Sequence, residues 1–371
     1  MSEKKKSILL LFFSLFFIFI FLEVSLKILE RIEYNKNLKD QLTDNNYNNI
    51  FKSTLDFPHL YEHKKNVNQL VTNNEKNQSY TIITNSDGLR EKQNYSKLEK
   101  SVIFLGDSII EGSSAENEET IDSYFEKLTQ IVSLNFGLSA SNTFHQVEYL
   151  KHKYKKDYNT KLIVLGFCLN DLDTNYYKIY WNPTFQSWMK YEDIKINRDE
   201  KNYNQNNKKQ VKTSSLRNIY FNFKNILKKS SLIVFTYSSY QRITRGQNTK
   251  LDPYISLSKN LIFTEAPLKE LKMYANQIDS KLLVIIFPAE SQILVNRKMK
   301  KIAQPKGQKQ IIKILKKLDI EYYDLFEDFL NEYKVNEKTN LYADQMHPNP
   351  DGYKFIADKL YNEIKNKKIL D

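Results

Sequence analysis

At 371 residues and 41% hydrophobic content the chain carries enough apolar side chain to fill a substantial core, which excludes global disorder. Its formal charge of +12 is spread along the sequence among abundant Asn, Ile and Tyr, with no aromatic-plus-basic recognition motif, so a basic, solvated surface is expected and a nucleic-acid partner is not. A single cysteine, Cys168, excludes an intramolecular disulfide and a thiolate metal cluster and is compatible with an extracytoplasmic location.

The first residues, "MSEKKK", run into "SILLLFFSLFFIFIFL", Ser7 to Leu22, sixteen residues without a charge. At about 1.5 Å per residue this makes about 24 Å of helix, short of a ~30 Å hydrocarbon core. The apolar pattern continues through Val24, Leu26, Ile28 and Leu29, with Glu23 and Lys27 spaced as an i,i+4 pair. No small-x-small site follows Leu22, so an uncleaved transmembrane anchor over residues 7–29 is predicted in preference to a removed signal peptide. The lysines ahead of it predict a cytoplasmic tail at residues 1–6, with the remainder of a single-pass membrane protein on the extracytoplasmic side.

Residues 30–99 are polar and rich in Asn and Lys without a sustained apolar period, and read as a lead segment rather than a core. One island, "SYTIITNSDGLR" from Ser79 to Arg90, has the composition of a strand and a turn.

Residues 100–371 show short apolar runs alternating with helical periods. Strands are predicted at Val102–Leu105, Ser133–Phe136, Leu162–Phe167, Leu282–Phe287 and Tyr322–Leu325. Helices are predicted at Thr120–Thr129, Asn142–Lys155, Ala266–Gln277, Gln308–Leu318 and Gly352–Asn366, making an α/β, doubly wound, five-stranded parallel sheet. The gap between the third and fourth strands is too long for a crossover, so an insertion is expected at about 175–262. The stripe Leu216, Ile219, Tyr220, Phe223, Ile226 and Leu227 predicts that part of it is a helical cap, although a membrane or a partner would select the same stripe.

Ligands of open parallel sheets collect at the carboxyl ends of the strands, and four such ends carry polar chemistry. Gly106-Asp107-Ser108 follows the first strand, where the serine stands beside unpaired helix N–H groups but could equally be a simple cap. Gly137 follows the second strand and offers a backbone N–H unobstructed by a Cβ, or is an ordinary turn glycine. Asn170-Asp171 follows the third, and the Asn170 amide is a neutral donor suited to an oxyanion, or merely starts a loop. After the fifth strand, "YADQMHPNPDGY" holds Asp344 and His347 three apart. A serine needs a base and that base needs a carboxylate, so this pair supplies what Ser108 lacks. Cys168 lies in an apolar run without a base and reads as a small buried hydrophobe. No His pair sits in a metal-binding motif, so neither metal nor cofactor is expected.

Gly-Asp-Ser, then Gly, then Asn-Asp, then Asp-x-x-His-Pro, each after a successive strand, resembles the SGNH hydrolase superfamily of GDSL-type esterases and lipases. The anchor with "NSDGLR" is similar to membrane-attached members. The resemblance implies a flavodoxin-like fold, Ser108 as nucleophile, His347 as base, Asp344 as its orienting partner, and Ser108, Gly137 and Asn170 as oxyanion donors. The family's usual Gly-x-Asn-Asp is here Cys168-Leu169-Asn170-Asp171, which puts a Cβ where the family has none. The implied activity is hydrolysis of an oxygen ester through an acyl-enzyme, and the expected location outside the membrane makes an O-acylated cell-envelope glycan the first expected substrate and lipid the second. The readings held against it are an O-acyltransferase with the same residues and an inactive, membrane-tethered glycan-binding protein.

Overall fold

A computed structural model of the chain describes residues 14, 17, 20–25, 47–53, 61–73, 78–172, 179–182, 187–190, 262–297, 305–335 and 339–370. The chain divides into two compact units, Met1–Thr43 with Asp193–Lys250, and Asp44–Glu192 with Leu251–Asp371. Of the expected anchor at 7–29, only residues 14, 17 and 20–25 are among the described residues. Among those that are described, no helix is long and apolar enough to cross a membrane. The expected cap around Leu216 to Leu227 also lies outside them.

The second unit contains eleven strands among its described residues. In chain order they are β1 (Phe51–Ser53), β2 (Tyr61–His63), β3 (Asn68–Asn73), β4 (Gln78–Ile83), β5 (Ser101–Gly106), β6 (Val132–Gly137), β7 (Thr160–Phe167), β8 (Ile179–Asn182), β9 (Ser187–Lys190), β10 (Lys281–Ile286) and β11 (Glu321–Asp324). Beyond a single helical turn at Tyr47–Ile50, the described α-helices of this unit are α1 (Ser108–Glu111), α2 (Ile121–Thr129), α3 (Thr143–Lys153), α4 (Ile262–Gln277), α5 (Glu290–Arg297), α6 (Lys306–Leu318), α7 (Phe326–Val335) and α8 (Pro350–Asn366). Strands β5, β6, β7, β10 and β11 form one sheet in the order β11-β10-β7-β5-β6, every neighbouring pair parallel. The connection reverses direction across the β5/β7 boundary, the switch point of a doubly wound sheet.

The strands are apolar at successive positions because both faces are covered. Val102 and Phe104 of β5 pack with Phe125 of α2, Phe329 of α7 and Ile356 and Leu360 of α8. Ile103 and Leu105 point the other way, toward Val147 and Leu150 of α3, Leu268 of α4 and Ile311 of α6.

The segment before β5 departs from expectation. Ile50, Phe51, Tyr61, Val71, Tyr80, Ile82 and Leu89 are buried and belong to the same core cluster as Leu134 and Phe136 of β6. Two antiparallel pairs, β1 with β2 and β3 with β4, carry Phe51, Tyr61, Val71, Tyr80 and Ile82, while Ile50 directly precedes β1 and Leu89 lies in the turn after β4. These strands are half polar, so their apolar count is low although the side chains that they contribute to the core are buried.

At the carboxyl end of the sheet three glycines stand in one row, with Gly106 in register with Gly137 on β6 and Gly166 on β7. A Cβ at Gly137 would meet the backbone nitrogen of Glu111 at 2.0 Å, and one at Gly106 or Gly166 would meet Ile110 Cγ1 at 2.5 Å. The row is therefore a seat without side chains on which α1 lies directly.

Candidate active site

The sharp turn from β5 into α1 begins at Asp107, whose carboxylate Oδ1 accepts the Ile109 N–H at 3.0 Å and caps the helix. The cap is thus Asp107, and Ser108 is left as the first helical residue with its hydroxyl free for other work. Burial raises the Asp107 carboxyl, while the Ile109 N–H and the Asn170 side chain act to lower it.

The last motif forms a tight return between α7 and α8. Ala343 N donates to His347 O at 2.8 Å, Tyr342 and Pro348 make an antiparallel bridge, and the Tyr342 hydroxyl donates to Pro288 O at 2.7 Å. Asp344 Oδ1 accepts the N–H groups of Met346 at 2.7 Å and His347 at 2.8 Å, which fixes the carboxylate before the ring is considered. Its other oxygen, Oδ2, accepts from His347 Nδ1 at 2.8 Å. With the proton on Nδ1, Nε2 is the acceptor, and Ser108 Oγ lies 2.8 Å from it. Ser108 and His347 are both half-buried and reachable from solvent. Residues 239 apart in the chain thus form one continuous Ser-His-Asp hydrogen-bond series.

The donors for negative charge need one revision. The Gly137 N–H, expected to be free, donates to Asn135 Oδ1 at 2.9 Å inside the sheet, and the glycine is required instead by the closeness of α1. In the loop that follows, Leu138 N donates to Gly106 O at 3.0 Å, Ser139 N to Glu111 Oε1 at 3.2 Å and Ser141 N to Leu138 O at 3.1 Å. That leaves Ala140, whose N–H has no partner among the described residues. Ala140 has φ of 61°, a left-handed conformation that costs a residue with a Cβ roughly 1–2 kcal/mol. The cue in sequence would have been a turn position, but an alanine there gives no such signal.

Asn170 is half-buried in the loop after β7, and its side chain lies against the Asp107 carboxyl next to Ser108. Asp171 is fully buried and accepts from Thr143 Oγ1 at 2.9 Å and Gln146 Nε2 at 3.3 Å, so it braces the loop from behind. Burial, then the Asp107 charge, pushes its carboxyl well up. Cys168 packs with Phe104 and Phe287 in the core, and burial raises its thiol well above the usual range, as expected for a hydrophobe rather than a thiolate nucleophile.

Residues 102–360 match the family described as GDSL-like Lipase/Acylhydrolase. No curated protein sequence matches the chain. Among solved structures, it is similar to a lipolytic G-D-S-L family protein from Veillonella parvula, with 10% identity and a TM-score of 0.39 over 71% of this chain and 97% of that one. It is also similar to an acetylxylan esterase from Geobacillus stearothermophilus, with 15% identity and a TM-score of 0.36 over 72% of this chain and 95% of that one.

Proposed function

Because this chain belongs to the GDSL-like lipase/acylhydrolase family and is an esterase of that type, we propose that Ser108 is its nucleophile, His347 its general base and Asp344 the residue that orients the base. The observation that carries the proposal is the pair of 2.8 Å hydrogen bonds linking Ser108 to His347 and His347 to Asp344.

In the first step His347 Nε2 removes the Ser108 proton as Oγ attacks the ester carbonyl. The oxyanion that develops is held by the N–H groups of Ser108 and Ala140 and by the Asn170 amide. Collapse expels the alcohol, which takes the proton from His347, and leaves an acyl-enzyme. Water, deprotonated by the same nitrogen, then releases the acid. A sugar hydroxyl in place of that water would make the same residues an acyltransferase.

The substrate we propose is an O-acylated, in the first instance O-acetylated, glycan of the cell envelope, with lipid esters second. Support comes from the apolar segment Ser7 to Leu22, which would tether the enzyme at the membrane with its esterase unit outside, among surface polymers.

Two measurements test this reading. Ser108→Ala should lose at least about 10³-fold in turnover of an aryl acetate and all labelling by a fluorophosphonate probe, and unchanged turnover would refute the triad. Incubation of the parent protein with isolated envelope glycan should release acetate. Recovery of the acyl group on an acceptor sugar would establish transfer instead, and an unlabelled parent would indicate a binding protein.

A further inference from the structure

Outside the Ser-His-Asp series the molecule has a second buried cluster of chemistry-bearing side chains, centred on Glu111 at the end of α1. His63 and Glu111 are 0% and 1% exposed. The Glu111 carboxylate accepts three donors: the His63 Nε2 proton at 2.7 Å, the Ser139 N–H at 3.2 Å and the Ser139 hydroxyl. Burial alone would raise this carboxyl, but the His63 ring, Ser139 and Arg90 together bring it below its usual value, so it is the charged form that is enclosed.

What Glu111 joins is informative. It ends the helical turn that begins with Ser108, and it grips the residue immediately before Ala140. The nucleophile and the loop that offers the Ala140 N–H are therefore fastened through one carboxylate. The strand β2 holds the fastening from the other side at two alternate positions, as the period of a strand allows. Its Tyr61 hydroxyl donates to Ser139 O at 2.5 Å, and His63 donates to Glu111. His63 is itself fixed by stacking on Phe51, ring centroids 4.8 Å apart. Tyr61 and His63 both precede residue 102, so they lie outside the segment that matches the family.

We infer that His63 is a positioning residue for ester hydrolysis, acting through Glu111 and Ser139 to set the Ala140 N–H against the Ser108 nucleophile. The inference rests on the reading of Ser108 and Ala140 given above. A carboxylate deprived of one of its donors in a dry site will seek another, and the groups within its reach belong to the two elements whose spacing matters. Displacement of a reacting group by about 1 Å is worth up to about 10² in rate, so the effect belongs in kcat.

The test uses the full chain and a soluble aryl acetate, with fluorophosphonate labelling alongside. His63→Leu, which cannot donate, should lower kcat by about 10- to 100-fold with KM changed less than about twofold. His63→Gln, whose amide can reach the Nε2 position and donate, should recover to within about threefold of the parent. Glu62→Gln, one residue away on the opposite side of β2, removes a carboxylate paired with Lys52 at 2.7 Å and Lys153 at 2.6 Å; it should lower stability and leave kcat unchanged. A folded His63→Leu protein with the parent's kcat would overturn the inference, as would an equal loss in Glu62→Gln. If His63→Leu does not fold, Ser139→Ala decides: a kcat loss of about tenfold at constant KM supports the role, and an unchanged kcat overturns it. A parent protein that takes no label at Ser108 would refute the triad reading itself, which separates that failure from this one.

Discussion

Asn135 shows how much one residue can coordinate. Its side-chain amide donates to Asp122 Oδ1 at 2.6 Å and Ile110 O at 2.9 Å, its carbonyl oxygen accepts the Gly137 N–H, and its own N–H donates to Glu91 Oε1 at 2.8 Å. Two buried carboxyls thus meet at one strand. Burial pushes Asp122 up to about 7, and burial together with the Asp122 charge raises Glu91. A folded-state value above the unfolded one, about 4 for a carboxyl, means that the native protein favours the protonated form. The contribution to stability is fully present below about pH 4 and is lost as pH rises through about 7. Glu111 and Glu62, whose carboxyls are lowered, act in the opposite sense, so the total profile mixes signs. The difference between parent and Asp122→Asn isolates one group: the variant should gain stability relative to the parent as pH rises from about 4 to 7, read from urea midpoints. Parallel curves for the two proteins would show that Asp122 does not titrate in this range.

At the scale of elements, the turn after β4 is pinned to the turn after α1 by a single guanidinium. Arg90 is 2% exposed and donates to Gly112 O at 2.7 Å, Ala115 O at 2.6 Å, Thr81 O at 3.3 Å and Glu111 O. Arg90→Ala strands these acceptors and should cost at least about 3 kcal/mol in denaturant unfolding. Arg90→Lys should recover little of it, because one ammonium cannot serve carbonyls on both sides of a planar fork. A loss below about 1 kcal/mol in Arg90→Ala would refute the pinning. The five parallel strands were legible in the sequence because both of their faces are buried, leaving unbroken runs such as Val102 to Leu105. Helix α7 was missed because Phe326 follows β11 without a breaking residue, so Phe326, Phe329, Leu330 and Tyr333 begin their period inside what looks like a strand end. Asp344 and His347 could be read because their relation is local. Ala140 could not, since which N–H remains free depends on what Gly106 O, Glu111 and Asn135 have already engaged. The buried polar side chains of His63, Arg90 and Glu111 are invisible to composition, which assigns such residues to the surface.

At the scale of the whole molecule, the esterase unit extends farther toward the N-terminus than the segment that matches the family. Ile50, Phe51, Tyr61, Val71 and Leu89 cover Leu134 and Phe136, so a cut just before residue 102 would open that face of the sheet. A cut after residue 29 leaves it closed. A chain lacking residues 1–29 should therefore leave the membrane fraction and keep the parent's turnover of a soluble ester, and an equal distribution of the two proteins between fractions would refute the anchor. The glycine row beneath α1 has a consequence for the sheet as an assembled object. A slip of β6 by one residue against β5 would bring Phe136 or Leu138 to the place of Gly137, where not even a Cβ fits. Only one alignment of three strands lets the serine turn settle, so each turnover certifies that the central pairing was made correctly.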